Sequence, residues 1–216
     1  MFKTIILMLV FNLFTINVQA KAIYSGDSNL NHIYLTFDDG NSAKNTESIL
    51  DILKAKDVPA TFFIEGDFLV NNPSIIKRIV AEQTLGNHTM VHKDITKMTD
   101  LKLREDIAEF EKNVLNITNQ KNAKYFRPPM GKINAAKLKI MHELGYKVIM
   151  WNVSYYDYVY YDDQGVKFVL DNILKQTKNG SIILMHTMTK SNVSALPEII
   201  DNLRSKGFIF SDLNEL

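Results

Sequence analysis

Ile33-Tyr34-Leu35-Thr36-Phe37-Asp38-Asp39-Gly40 is the stretch from which the fold can be read. Its first five residues are β-branched, aromatic or leucine, the composition of a strand. Two carboxylates and a glycine follow at once, which marks a turn. Residues 46–56 then place Ile49, Leu50, Ile52 and Leu53 on one helical face. The same unit recurs along the chain. Residues 60–64 form the next strand, and Pro73 suits the first turn of a helix carrying Ile75, Ile76, Ile79 and Val80. Thr99 caps a charged amphipathic helix over 99–115, and Tyr125-Phe126 is a short strand. A helix over 135–144 closes on Gly145, a C′ glycine. Residues 146–152, 181–185 and 208–210 are the later strands, with helices over 166–178 and 196–206 between them. Repeated βα units predict an α/β fold around a parallel sheet, open or closed into a barrel, in one domain.

The composition narrows the function. Across 216 residues the hydrophobic fraction is 46% and the formal net charge +1, with no basic block. A folded domain is expected, and nucleic acid is excluded as a partner for want of an electrostatic footprint. Residues 1–20 read as an export signal. Lys3 precedes an apolar run over 4–14 broken only by Asn12, and Val18-Gln19-Ala20 offers small residues where a signal peptidase cuts. The run is too short to span a bilayer comfortably, so no stable membrane span is expected after cleavage. Residues 21–216 are then the mature domain, exported to a periplasmic or extracellular location. The absence of cysteine rules out disulfides and a lipoprotein anchor.

Polar residues cluster where strands end. Asp38, Asp39, Arg127, Asn152 and His186 each follow a predicted strand, and in βα architectures sites are built at those carboxyl ends. Adjacent carboxylates repel unless a cation or proton intervenes, although an Asp-Asp-Gly run is often only a turn. His88-Thr89-Met90-Val91-His92 sets two imidazoles four residues apart, so one helical turn would bring both to one face. A divalent metal held by Asp39, His88 and His92 would relieve the repulsion and leave Asp38 free. In Arg127-Pro128-Pro129-Met130-Gly131 the prolines lack N–H groups, so Met130 supplies the first free backbone donor, fit for an oxyanion. Arg127 could hold Asp38 ionised, or simply sit in a rigid surface loop. His186 ends an apolar strand, and Asp157 could orient it and raise its pKa. Tyr155, Tyr156, Tyr158, Tyr160 and Tyr161 crowd one loop, where most are expected to pack and one or two to face a substrate.

Together the segments 36–40, 88–92, 127–131, 151–158 and 184–186 resemble the polysaccharide deacetylases of the NodB-homology type, carbohydrate esterase family 4. The resemblance implies a distorted, seven-stranded (β/α) barrel. It also implies one divalent metal, usually zinc with cobalt or nickel as alternatives, and hydrolysis of N-acetyl groups on a carbohydrate polymer or oligosaccharide. On that pattern Asp38 is the general base, and Asp39, His88 and His92 are the metal ligands. Arg127 tunes the base, His186 is the general acid, and Asp157 orients a catalytic side chain. The Met130 N–H serves the oxyanion, while Trp151, Tyr158 and Leu184 line the substrate groove. Met130 and Tyr158 stand where the family usually has aromatic and tryptophan residues, and Ser154 replaces an acidic one found in some members. Peptidoglycan, chitin-like and exopolysaccharide substrates stay open, as does the oligomeric state. The rival readings are an O-acetyl esterase of xylan type, a deacylase of a small amide or lipid-linked sugar, and a non-catalytic sugar-binding member of the fold.

Overall fold

The computed structural model describes residues 20–40, 42–158 and 163–216. The export segment expected over 1–20 therefore lies, Ala20 apart, outside the described residues, as do Tyr160 and Tyr161. Among these residues eight strands form one sheet: β1 (Ala22–Ile23), β2 (His32–Asp39), β3 (Ala60–Ile64), β4 (Thr84–Asn87), β5 (Tyr125–Phe126), β6 (Lys147–Ile149), β7 (Ile182–His186) and β8 (Ile209–Phe210). Seven run in the order β1-β6-β5-β4-β3-β2-β7, and β8 adds to the start of β2. Every strand pair is parallel. Val153, beyond β6, makes a parallel bridge to Ile183 on β7, so the chain leaving β6 meets the far end of the sheet. This is the distorted (β/α) barrel that the motifs implied.

Among the described residues seven α-helices accompany the sheet: α1 (Ala43–Lys56), α2 (Gly66–Asn71), α3 (Pro73–Glu82), α4 (Asp100–Thr118), α5 (Ala135–Glu143), α6 (Val166–Gln176) and α7 (Lys190–Ser205). No helix of the described residues is long and apolar enough to cross a membrane. The largest core joins Phe37, Phe62 and Met185 of the sheet to Leu50 of α1, Ile76 of α3 and Leu196 of α7. Phe37 and Phe62 stack at 5.0 Å between centroids. Local chemistry sets the helix starts. The Ser42 hydroxyl accepts from the Asn45 N–H, so α1 begins three residues before the hydrophobic pattern does. Thr99 caps α4 by accepting from Lys102, and Gly145 takes φ +80° just past α5.

β1, β4 and α2 were not expected from the sequence, and α7 starts earlier than expected. α7 starts at Lys190 under a Thr189 cap and runs through Pro197, whereas the helix was expected only from Leu196. Buried Ala195, Leu196, Ile199, Ile200 and Leu203 offset an interior proline that costs ~3 kcal/mol. The strand β4, Thr84-Leu85-Gly86-Asn87, has one strand-favouring residue, Thr84, against a glycine and an asparagine. Its glycine is required by packing, since a Cβ at position 86 would lie 2.7 Å from the Phe63 ring. Gly86→Val should therefore destabilise the protein by about 1–3 kcal/mol through overpacking. A thermal melt checks this, with a midpoint lowered by several degrees expected; an unchanged midpoint would mean that Phe63 yields freely.

Candidate active site

The parallel sheet delivers its polar residues to one rim. Asp38 and Asp39 end β2, Glu65 follows β3, His88 follows β4, Arg127 follows β5 and His186 ends β7. Asp38 and His186 are register partners on neighbouring strands. Asn152, also singled out by its position, instead accepts a hydrogen bond from the Ile182 N–H at 3.0 Å and serves the backbone.

Arg127 is fully buried. Its Nη1 donates to Asp38 Oδ1 at 2.7 Å, its Nε to the Ile149 carbonyl and its Nη2 to the Met150 carbonyl, both at 3.1 Å. The guanidinium also lies over the Phe63 ring, 4.2 Å from the centroid, with Trp151 at 5.5 Å. It is a built component of the rim rather than a surface arginine. Burial pushes the Asp38 carboxyl up, but Arg127, His88 and His186 together outweigh it and hold the group below the usual carboxylate value.

The two imidazoles of 88–92 meet at 5.0 Å between centroids, but no helical turn brings them there. Thr89 and His92 take left-handed backbone at φ +73° and +44°, folding the segment into a tight loop. Asn87 Oδ1 accepts from the Thr89 N–H at 2.7 Å, and Thr89 Oγ1 accepts from the His92 N–H at 3.0 Å. Buried Asp106 of α4 accepts from the Met90 N–H with both oxygens, at 3.0 and 3.2 Å. These side-chain bonds replace the helical ladder and hold the strained residues. His88 Nδ1 is 2.8 Å from the Arg127 carbonyl, which only accepts, so Nδ1 carries the proton and Nε2 is left free. Burial drives the His88 pKa down to about 4, which keeps the ring neutral as a metal ligand must be.

Two carboxylates stand beside these imidazoles: Asp38, with Oδ2 3.6 Å from His88 Nε2, and Glu65, with Oε1 3.7 Å from His92 Nε2. Ligand atoms of Glu65, His88 and His92 lie within 4.8 Å of one another. Two imidazoles and a carboxylate suit a borderline divalent cation, so the residues fit the metal that the family pattern implies. Asp39 is fully buried, with Oδ2 accepting from Thr46 Oγ1 and Oδ1 from Thr187 Oγ1, both at 2.7 Å. Burial lifts its pKa to about 7; the two hydroxyls oppose the rise, and the charges of Glu65 and Asp38 add to it.

Across the rim, Asp157 Oδ1 accepts from His186 Nδ1 at 2.6 Å and Oδ2 from the His186 N–H at 2.8 Å. Asn192 braces this pair, donating through Nδ2 to Asp157 Oδ2 and to the His186 carbonyl, each at 2.7 Å, while its Oδ1 accepts from the Tyr155 hydroxyl. Burial lowers the His186 pKa, but the bond and charge of Asp157 outweigh it and leave it above the ordinary histidine value. A cleft of about 340 Å³ opens over Asp38, His88, His92 and His186, walled by Met130, Trp151, Tyr155, Tyr158 and Leu184. Met130 sits at φ +58°, and its N–H donates to no acceptor among the described residues.

Three contributors escaped the sequence reading: Glu65, Asp106 and Asn192. Glu65 carried the signal that exposed Asp38, a charge directly after an apolar strand. Asp106 and Asn192 lie inside amphipathic helices and carried none.

Known proteins match this description. A family model described as polysaccharide deacetylase matches residues 25–149. The peptidoglycan-N-acetylmuramic acid deacetylase PdaA of Bacillus subtilis is 34% identical over 90% of this chain and 74% of its own length. A peptidoglycan-N-acetylglucosamine deacetylase of Bacillus cereus is 34% identical over 85% of this chain and 87% of its own. The solved structure of Bacillus subtilis PdaA, described as a family 4 carbohydrate esterase, superposes with a TM-score of 0.88 at 34% identity, covering 90% of this chain and 84% of that one. The chain belongs to the polysaccharide deacetylase family, the NodB-homology group known as carbohydrate esterase family 4.

Proposed function

We propose that this polysaccharide deacetylase is exported and removes N-acetyl groups from the amino sugars of a cell-wall polymer of the peptidoglycan kind, releasing acetate. The observation that carries the reading is the Arg127–Asp38 pair facing the Asp157–His186 pair across one cleft. Arg127 donates to Asp38 and favours its ionised form, and Asp157 accepts from His186 and favours its protonated form. A pure sugar-binding protein has no need of either. Export rests on residues 1–20, and the cell-wall substrate on the named activities of the two relatives.

The roles follow from the geometry. A divalent cation, zinc before cobalt or nickel, bound at His88 and His92 supplies Lewis-acid polarisation of the acetyl carbonyl. Arg127 occupies Asp38 Oδ1, which leaves Oδ2 to take a proton from the attacking water. The Met130 N–H is placed to donate to the developing oxyanion. His186, whose Nδ1–H is fixed on Asp157, gives its Nε2 proton to the leaving amine. Water thus adds to the acetyl carbon, the C–N bond breaks, and acetate and a free amino sugar result. Trp151, Tyr158 and Leu184 offer apolar walls for a sugar ring.

Acetate release from peptidoglycan fragments, chitooligosaccharides and acetylated xylan tests the function. Metal-dependent release from the amino-sugar substrates is expected; release from xylan alone would make the protein an O-acetyl esterase, and release from none would overturn the reading. Asp38→Asn should lower kcat by roughly 10²–10⁴-fold with metal content unchanged, because only the proton acceptor is removed. Loss of metal instead would give Asp38 a ligand's role. The pH profile of kcat/KM has a predictable shape. The base is competent above the lowered Asp38 pKa, and the acid remains competent until pH rises through the raised His186 pKa. Asp157→Asn removes what raises the latter, so the alkaline limb should move to lower pH; an unmoved limb would free His186 from that role.

A further inference from the structure

The loop 88–92 turns through two left-handed residues, so its amides lack the carbonyl partners of a helical turn. Side chains take their place. The Thr89 N–H donates to Asn87 and the His92 N–H to Thr89, both of them in or next to the loop itself. The Met90 N–H is different: its acceptor is Asp106, sixteen residues on and inside α4. Met90 stands midway between the two imidazoles in sequence, so this bond ties the centre of the loop to the body of the protein. The surroundings fit closely. The Gly66 N–H donates to the Thr89 carbonyl at 3.0 Å, and a Cβ at position 66 would stand 2.6 Å from Met90 Cα, so the loop rests on the start of α2. Asn113, two turns along α4 from Asp106, brings Nδ2 to 3.9 Å from Met90 Sδ.

As a packing residue Asp106 is a poor choice. It is 6% exposed and shares the buried face of α4 with Leu103, Ile107, Phe110 and Val114. Among the described residues the Met90 N–H is its one hydrogen-bond donor, reached by both oxygens at 3.0 and 3.2 Å. A buried carboxylate with a single neutral partner destabilises the fold relative to an apolar side chain of similar size. Without it, however, the Met90 N–H would have no acceptor, in a loop whose backbone is already strained. Helix packing does not account for the carboxylate; the shape of the loop does.

We infer that Asp106 is a positioning residue for the metal centre: through the Met90 N–H it holds His88 and His92 at the separation where both can bind one divalent cation. The inference rests on the metal-dependent reading of the site. Zinc binding measured apart from activity tests it, by calorimetric titration of purified protein stripped with a chelator. Asp106→Leu is close in shape and removes the acceptor, so affinity should fall by roughly 10–100-fold, the range for groups that hold ligands without meeting the metal. Asp106→Asn keeps a carbonyl oxygen for the Met90 N–H and should bind zinc nearly as wild type does. A residue that served folding alone would lower the melting temperature and leave the affinity of the folded protein unchanged. Wild-type affinity in Asp106→Leu with native circular dichroism therefore overturns the inference, and so does equal loss in the leucine and asparagine variants. Asp106→Ala makes the same test should Asp106→Leu fail to fold. In wild type the Met90 amide should also be protected from hydrogen exchange; exchange at the rate of an open loop would overturn the bond itself. Absence of zinc binding by wild type would instead overturn the metal-dependent reading, and the inference with it.

Discussion

A guanidinium without solvent must find its partners inside the protein, and those of Arg127 span the sheet. One nitrogen bonds Asp38 at the end of β2, and two others bond carbonyls of Ile149 and Met150 at the end of β6. The flat face rests on Phe63 of β3, and the residue's own carbonyl fixes the His88 ring beyond β4. Buried ion pairs commonly gain little net stability, because removing two charges from water costs several kcal/mol per ion. What Arg127 provides is orientation. It sets the free oxygen of the base and the free nitrogen of an imidazole at once, so the ends of five strands are positioned relative to one another around a single cation.

The surroundings then drive chemically similar groups apart. Asp38 and Asp39 are neighbours in sequence, yet a cation depresses one pKa and burial among hydroxyls raises the other to about 7. His88 is pushed down to about 4 by burial, while His186 is carried upward by Asp157. In the proposed reaction the lowered Asp38 would suit a proton acceptor, the neutral His88 a metal ligand and the raised His186 a proton donor. Divergent environments for like residues are how one fold runs acid and base chemistry near neutral pH.

Much of this was legible in the sequence, and the reason is physical. In a parallel sheet the strand ends share one rim, so Asp38, Arg127 and His186 could be grouped without knowing the strand order. The strand order was not legible, because β4 is held by the close approach of Gly86 to Phe63 rather than by strand-like residues. The loop 88–92 was misread as a helical turn, since i,i+4 spacing cannot reveal left-handed residues held by Asn87 and Asp106. Glu65 went unread because its approach to His92 comes from two different loops, which sequence spacing does not show. α7 begins six residues before its expected start at Leu196, under the Thr189 cap, and packing carries it through Pro197.

The central claim is that Arg127 keeps Asp38 ionised in the place where the base must act. The most direct measurement is the titration of the Asp38 carboxyl carbon by ¹³C NMR in metal-free protein, alongside Arg127→Lys as the comparison. The account predicts that Asp38 stays ionised below the usual carboxylate range in wild type. In the lysine variant, where the paired hydrogen bonds to Ile149 and Met150 cannot all be kept, its pKa should rise. An Asp38 that titrates at or above the ordinary value in wild type, or that is indifferent to the substitution, would contradict it.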